Sequence, residues 1–164
     1  MAATVIVNEF HGPTATPVKT NKTSGTVRFK NADNATVDLN DPMVIPTAGT
    51  DISYEKILRL NATGTFTSIS NYKFYTDGAN GLGTGVDVLY KKEGAYGTPI
   101  EPGGTTGFAT IFTATSGTPV TLGTPAVTAV GDFGDFLTMI LTVGSTASQG
   151  TTAQETLTFA WDEI

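Results

Sequence analysis

Apolar and polar residues alternate along most of this chain with a period of two, the signature of strands with one buried face, and no segment sustains a helical period. Thr4 to Phe10 opens with a β-branched run suited to a strand. Thr26-Val27-Arg28-Phe29-Lys30 alternates cleanly, with Val27 and Phe29 on one face. Asn31-Ala32-Asp33-Asn34 then reads as a turn, and Ala35 to Leu39 as a short strand that Asn40-Asp41-Pro42 breaks before Met43-Val44-Ile45-Pro46. In Ile52 to Leu60, Ile57, Leu58 and Leu60 would also fit a helical turn. The β-rich surroundings and the break at Asn61-Ala62-Thr63-Gly64 favour a strand. Phe66 to Thr76 carries Ile69, Tyr72, Phe74 and Tyr75 and ends at the glycine-bearing turn Asp77-Gly78-Ala79-Asn80-Gly81. Gly85 to Lys91 is expected to pair with it, with Val86, Val88 and Tyr90 on one face. Phe108 to Thr115, Val120 to Leu122 and Ala126 to Val130 follow, and Gly131-Asp132-Phe133-Gly134-Asp135 reads as a reversal. Phe136 to Val143 is the most apolar stretch, with Leu137, Met139, Leu141 and Val143 opposite Thr138 and Thr142. Glu155 to Trp161 closes the chain, alternating Leu157, Phe159 and Trp161 with Thr156, Thr158 and Ala160.

About nine or ten such runs, at the 8–12-residue spacing of sandwiches and jelly rolls, predict an all-β fold. The expected architecture is a single antiparallel β-sandwich or jelly-roll-like domain with long loops, spanning residues 1–164. Its core should gather Phe74, Val88, Leu137, Met139, Leu141, Leu157, Phe159 and Trp161. Residues 11–24, rich in Pro, Thr, Lys and Asn, are expected to be an extended arm or loop, and Glu93 to Gly107 a Gly- and Pro-rich loop. A chain of 164 residues buries enough surface to be stable without disulfides or a structural metal. That suits a sequence with no cysteine. About a fifth of the residues are threonine, whose methyl packs on a half-buried sheet while its hydroxyl meets water or a cross-strand neighbour.

Charge narrows the partners. Nine Lys and Arg stand against fifteen Asp and Glu, a formal net charge of −6. The basic residues are scattered, and the closest pair, Lys91-Lys92, is followed at once by Glu93, so neither nucleic acid nor an anionic membrane is expected as a partner. The first residues lack the basic region of a signal peptide, and no stretch approaches the length of a membrane-spanning helix. Charged residues make up only 15% of the chain, which leaves a surface of Thr, Ser, Asn and Gly.

Candidate chemistry is sparse. His11, the single histidine, has no evident nucleophile or orienting partner and reads as a loop or arm residue. Gly81-Leu82-Gly83-Thr84-Gly85 superficially resembles a phosphate cradle, yet no lysine or helix follows it, and a hairpin connection is the simpler reading. Asp77 with Asn80, Asp132 with Asp135, and Asp33 with Asp38 offer oxygen ligands for Ca²⁺, but none lies in a calcium-loop pattern and all are ordinary turn residues. Glu55, Asp87 and Glu101 are the carboxylates that a glycosidase pair would draw on. The N-x-Thr triplets at Asn21, Asn34 and Asn61 are expected by chance in so threonine-rich a chain. Tyr72, Phe74, Tyr75, Tyr90 and Tyr96 would have to be exposed together to stack on a sugar, and Tyr72 and Phe74 read as core. No catalytic residue, metal ligand or cofactor is expected.

The stretches Val27 to Asp38, Ser53 to Leu60, Ser70 to Gly78 and Leu157 to Ile164 resemble, in style and short phrases, small virion structural proteins of tailed bacteriophages. The resemblance covers about half the chain and carries no active-site residues. It implies a non-enzymatic particle component in the virion, assembled in the host cytoplasm, with the major capsid protein or other virion proteins as partners and self-association left open. A capsid decoration (cement) protein on the outer surface of the head is the leading expectation. A tail or tail-completion subunit and a carbohydrate-binding or host-adhesion module are the alternatives. The long loops, Gly12 to Ser24 and Glu93 to Gly107, are the expected capsid contacts.

Overall fold

The computed structural model describes residues 2–150 and 152–164. Along the chain run β1 (Ala3–His11), β2 (Val18–Asn21), β3 (Thr50–Ile52), β4 (Lys56–Gly64), β5 (Ile69–Tyr75), β6 (Val86–Glu93) and β7 (Ala109–Thr110). A 3-10 turn (Ile111–Thr113) precedes β8 (Val120–Thr121), β9 (Gly131–Gly144) and β10 (Thr158–Glu163). Among the described residues there is no α-helix. Two antiparallel sheets pack face to face: a seven-stranded sheet in the order β2-β1-β4-β9-β6-β7, with β3 also on β9, and a three-stranded sheet in the order β10-β5-β8. This is an all-β sandwich, as the alternation indicates.

Strand β9 organises the large sheet because it is long and apolar enough to be buried on both faces. It pairs with β4 and β3 along one side and with β6 along the other. Leu137 and Met139 belong to the inter-sheet core, with Leu141 packed against it, while Thr138 and Ile140 on the opposite face are also fully buried. Gly131–Asp135, expected to be a reversal, is instead the first part of this strand. Its pairing shifts register opposite Leu58/Leu60, a bulge that Gly134 permits with a φ of +77°. A Cβ at Gly134 would meet the Leu122 carbonyl oxygen at 3.0 Å, so glycine there serves close packing as well.

Val7, Leu58, Leu60, Val88, Leu137 and Met139 of the large sheet face Tyr72 and Phe74 of the small one, with Leu122 just after β8. The expected core residues all lie in or against this cluster, although Leu141, Leu157, Phe159 and Trp161 are half-buried at its margin.

Several expectations are corrected. β5 and β6 do not pair: β5 belongs to the small sheet and β6 to the large one, so Gly81–Gly85 crosses between sheets and does not close a hairpin. Residues 11–24 are not a free arm. The chain turns back after Pro13, and β2 pairs with β1 from Asn8↔Asn21 to His11↔Val18. Asn61–Gly64 continues β4 to its end, paired to β1, and does not break it. The runs at 26–30, 35–39 and 43–46 join no sheet, so the chain from 22 to 49 is irregular throughout. Of the run expected at 126–130, a single bridge, Ile69↔Val127, pairs with β5.

Candidate functional site

An irregular segment lying against a sheet poses a hydrogen-bonding problem, because its carbonyls leave water and find no ladder partner. Here lysines supply the donors. Lys22 Nζ donates to the Thr26 and Ala35 carbonyls at 2.9 and 2.8 Å. Lys56 Nζ donates to the Asn34 carbonyl at 2.6 Å and to that of Ala32 at 3.4 Å. Lys30 Nζ donates to Asp38 Oδ1 at 3.0 Å. All three lysines are buried, Lys30 and Lys56 to 1% exposure. Each ammonium gathers oxygens around a point charge with three donors, much as a bound cation would.

Glu9 supplies the central counter-charge. Its Oε1 lies 3.5 Å from Lys56 Nζ and its Oε2 3.5 Å from Lys22 Nζ, and the residue is 1% exposed. Glu9 pairs with Leu58, and Lys56 with Met139, so both side chains share the inner face of the large sheet with the apolar core. That face is therefore apolar where the small sheet covers it and charged where the 22–49 segment does. Val27 and Phe29 dip from the segment to the core margin. Asp33 Oδ2 accepts from the Gly12 amide at 2.9 Å, tying the segment to the β1–β2 turn. Burial pushes the Lys56 ammonium below the usual lysine range, and the charge of Glu9 opposes that shift.

The opposite face of the large sheet carries a second layer. Phe10, Ile57 and Phe136 form a small cluster capped by Tyr96, and the Arg59 guanidinium lies 4.3 Å from the Phe136 ring centroid. Tyr96 Oη donates to the Gly12 carbonyl at 2.7 Å, Ile100 N–H donates to Glu55 Oε2 at 3.3 Å, and Thr14 N–H donates to Thr98 Oγ1 at 2.8 Å. The Glu93–Gly107 loop is thus fastened to the body of the protein. Burial, reinforced by the charge of Asp33, pushes the Tyr96 phenol up to about 12.

The residues singled out in the sequence are engaged separately and do not converge. His11 Nε2 lies 3.3 Å from Thr20 Oγ1 in the β1–β2 hairpin. Asp77 Oδ1 accepts from Ala79 N–H, and Asn80 Oδ1 accepts from Leu82 N–H while its Nδ2 donates to the Val86 carbonyl. Asp132 is held by Lys19 and Asn61, and Asp135 faces Lys92 at 3.9 Å. Among the described residues, no three His, Cys, Asp or Glu side chains are grouped to hold a metal ion. Glu55 is buried and paired with Lys91 at 3.0 Å, Asp87 accepts from Thr110 Oγ1, and Glu101 is exposed on its loop. Asn21 and Asn34 accept from the amides of Thr23 and Thr36, and Asn61 donates to Asp132.

The aromatics also part company. Phe74 packs edge-on against Tyr90 and Tyr72 against Phe133, leaving Tyr75 beside a surface groove of about 310 Å³ that Asp77, Gln154 and Glu155 also line. Compared with models of protein families, with curated proteins and with solved structures, the chain matches none.

The buried lysines are what sequence reading missed. The available signal was position: Lys22, Lys30 and Lys56 flank or interrupt a long stretch that has no other cation but Arg28 until Arg59.

Proposed function

We propose that this protein is a non-enzymatic structural component of a bacteriophage virion, a decoration protein that binds the outer surface of the assembled head. The observation that carries the reading is the resemblance of Val27–Asp38, Ser53–Leu60, Ser70–Gly78 and Leu157–Ile164 to small virion structural proteins of tailed phages. The build of the domain supports it. A decoration protein has to be stable alone, dock on a preformed lattice and stabilise that lattice by mass action. A sandwich whose long irregular segment is fastened by internal ion pairs suits the first requirement.

The test is to mix purified protein with undecorated heads of the phage that encodes it. Saturable binding, with heads more resistant to heat or chaotrope, is expected. Failure to bind heads together with co-purification with tails would replace the reading with a tail subunit. The groove beside Tyr75, an aromatic flanked by amide and carboxylate groups, is the feature that favours a carbohydrate-binding module. Retention of a defined glycan without head binding would establish that reading instead.

A further inference from the structure

Of the eight asparagines in the chain, only Asn80 precedes a glycine, and the pair lies in the exposed crossing from β5 to β6. An asparagine side chain can be attacked by the backbone nitrogen of the next residue, and glycine leaves that approach unhindered because it has no Cβ. The reaction is an intramolecular acyl transfer. Gly81 N bonds to Asn80 Cγ, the Cγ–Nδ2 bond breaks to release ammonia, and a cyclic imide forms. Water then opens the imide to aspartate or isoaspartate.

The groups that such a transfer needs are already in place. The Gly81 amide donates to Glu155 Oε1 at 2.6 Å, so a carboxylate touches the proton that the nucleophile must lose. The Leu82 amide donates to Asn80 Oδ1 at 3.0 Å, where negative charge gathers as Cγ is attacked. That bond makes an Asx turn, which folds the side chain over the Asn80–Gly81 peptide. Nδ2, the leaving group, donates to the Val86 carbonyl at 2.9 Å, an arrangement that sets which end of the amide is nitrogen. Glycine is also required by packing, since a Cβ at position 81 would meet Glu155 Oε1 at 2.5 Å.

Folding is what assembles the site. Glu155 lies 74 residues from Gly81, in the irregular chain ahead of β10, and reaches the amide only in the native structure. Asn80 and Gly81 are both exposed, so water has access to the imide.

We infer that Asn80–Gly81 is a self-modification site, at which the folded protein converts Asn80 to aspartate and isoaspartate with Glu155 as the base. Glu155 takes the Gly81 amide proton and passes it to the departing nitrogen, which leaves as ammonia. The product adds a negative charge to a turn that already holds Asp77 and Glu155, and it removes the Nδ2 bond that ties the crossing to β6. None of this depends on what the protein binds.

The experiment follows residue 80 by peptide mapping during incubation at neutral pH. It compares folded wild type, wild type unfolded in guanidinium chloride, and folded Glu155→Gln. Glutamine keeps an acceptor for the Gly81 amide but cannot take its proton. Folded wild type is expected to convert faster than the unfolded chain and to yield isoaspartate, which direct hydrolysis of the side chain does not give. Glu155→Gln should convert about 10-fold more slowly or less. The comparison of folded with unfolded wild type holds even if that substitution disturbs the fold. An Asn80 that stays intact in the folded protein, converts no faster than in the unfolded chain, or gives aspartate alone overturns the inference. So does a folded Glu155→Gln protein that converts at the wild-type rate.

Discussion

Replacing Lys56 by methionine keeps the length and apolar stem of the side chain and deletes its charge. In the structure this strips donors from the Asn34 and Ala32 carbonyls and leaves Glu9 with Lys22 alone. Breaking one partner out of a buried ion pair costs about 3–5 kcal/mol. The retained Lys22 lowers that figure, and the orphaned Asn34 carbonyl, worth about 1–3 kcal/mol, raises it again, so the range stands. For a chain of this length each kcal/mol moves the melting temperature by about 2–4 °C, giving a drop of roughly 6–20 °C. Glu9→Gln combined with Lys56→Met should cost less than the two single substitutions added together, because the pair is coupled. Denaturant melts give the free energies, and native-state hydrogen exchange locates the effect: the amide of Asn31, bonded to Asp41, should lose protection before the β9 amides do. A Lys56→Met protein within about 1 kcal/mol of wild type, with exchange at Asn31 unchanged, would show that the ammonium does not hold the segment.

Other expectations concern the margins of the fold. Trp161 is half-buried against the core, so its emission should lie between buried and solvated limits, and Trp161→Ala should cost less than the ~3–5 kcal/mol of a fully enclosed aromatic; emission as red as that of the unfolded chain would show that β10 is not packed. Against the desolvation that burial imposes, hydrogen bonds from Lys19 and Asn61 hold the Asp132 carboxyl below the usual aspartate range. With the folded value below the unfolded one, Asp132 stabilises the protein above about pH 4 and that contribution is lost as pH falls further; Asp132→Asn should flatten the acid limb of a pH–stability curve, and an unchanged limb would contradict the pairing. Tyr96 has the opposite sign, its folded value of about 12 lying above the unfolded one, so its contribution is lost as pH rises from about 10 toward 12, and Tyr96→Phe should reduce that alkaline loss. Chelators should leave the melting temperature unchanged, since the turn carboxylates are taken by amides and ammonium groups; a fall in EDTA reversed by Ca²⁺ would mark a real cation site.

What could be read in the sequence was whatever a period of two controls. The alternation of Leu137, Met139 and Leu141 names the inner face of β9, and Tyr72 with Phe74 names that of β5. Pairing is another matter. Val86–Tyr90 alternates as well as any strand, but nothing local to it says that its partner is β9 and not the sequence-adjacent β5. The pattern also overstated Thr26–Lys30, where Val27 and Phe29 do pack inward, but from an unpaired segment held by lysines. Gly131 and Gly134 looked like a turn because positive φ serves bulges and reversals alike. The Glu9–Lys22–Lys56 network was illegible for a plainer reason. A lysine in a loop is normally solvated, and only the depth of the 22–49 segment over the sheet end reverses that.

The measurement that bears most directly on the role of the protein is its position in purified particles. Phage particles dissociated into heads and tails and quantified by mass spectrometry should show the chain in the head fraction, in fixed proportion to the major capsid protein, and removable from outside without releasing DNA. Its absence from particles, or its recovery with tails alone, would contradict a head decoration protein.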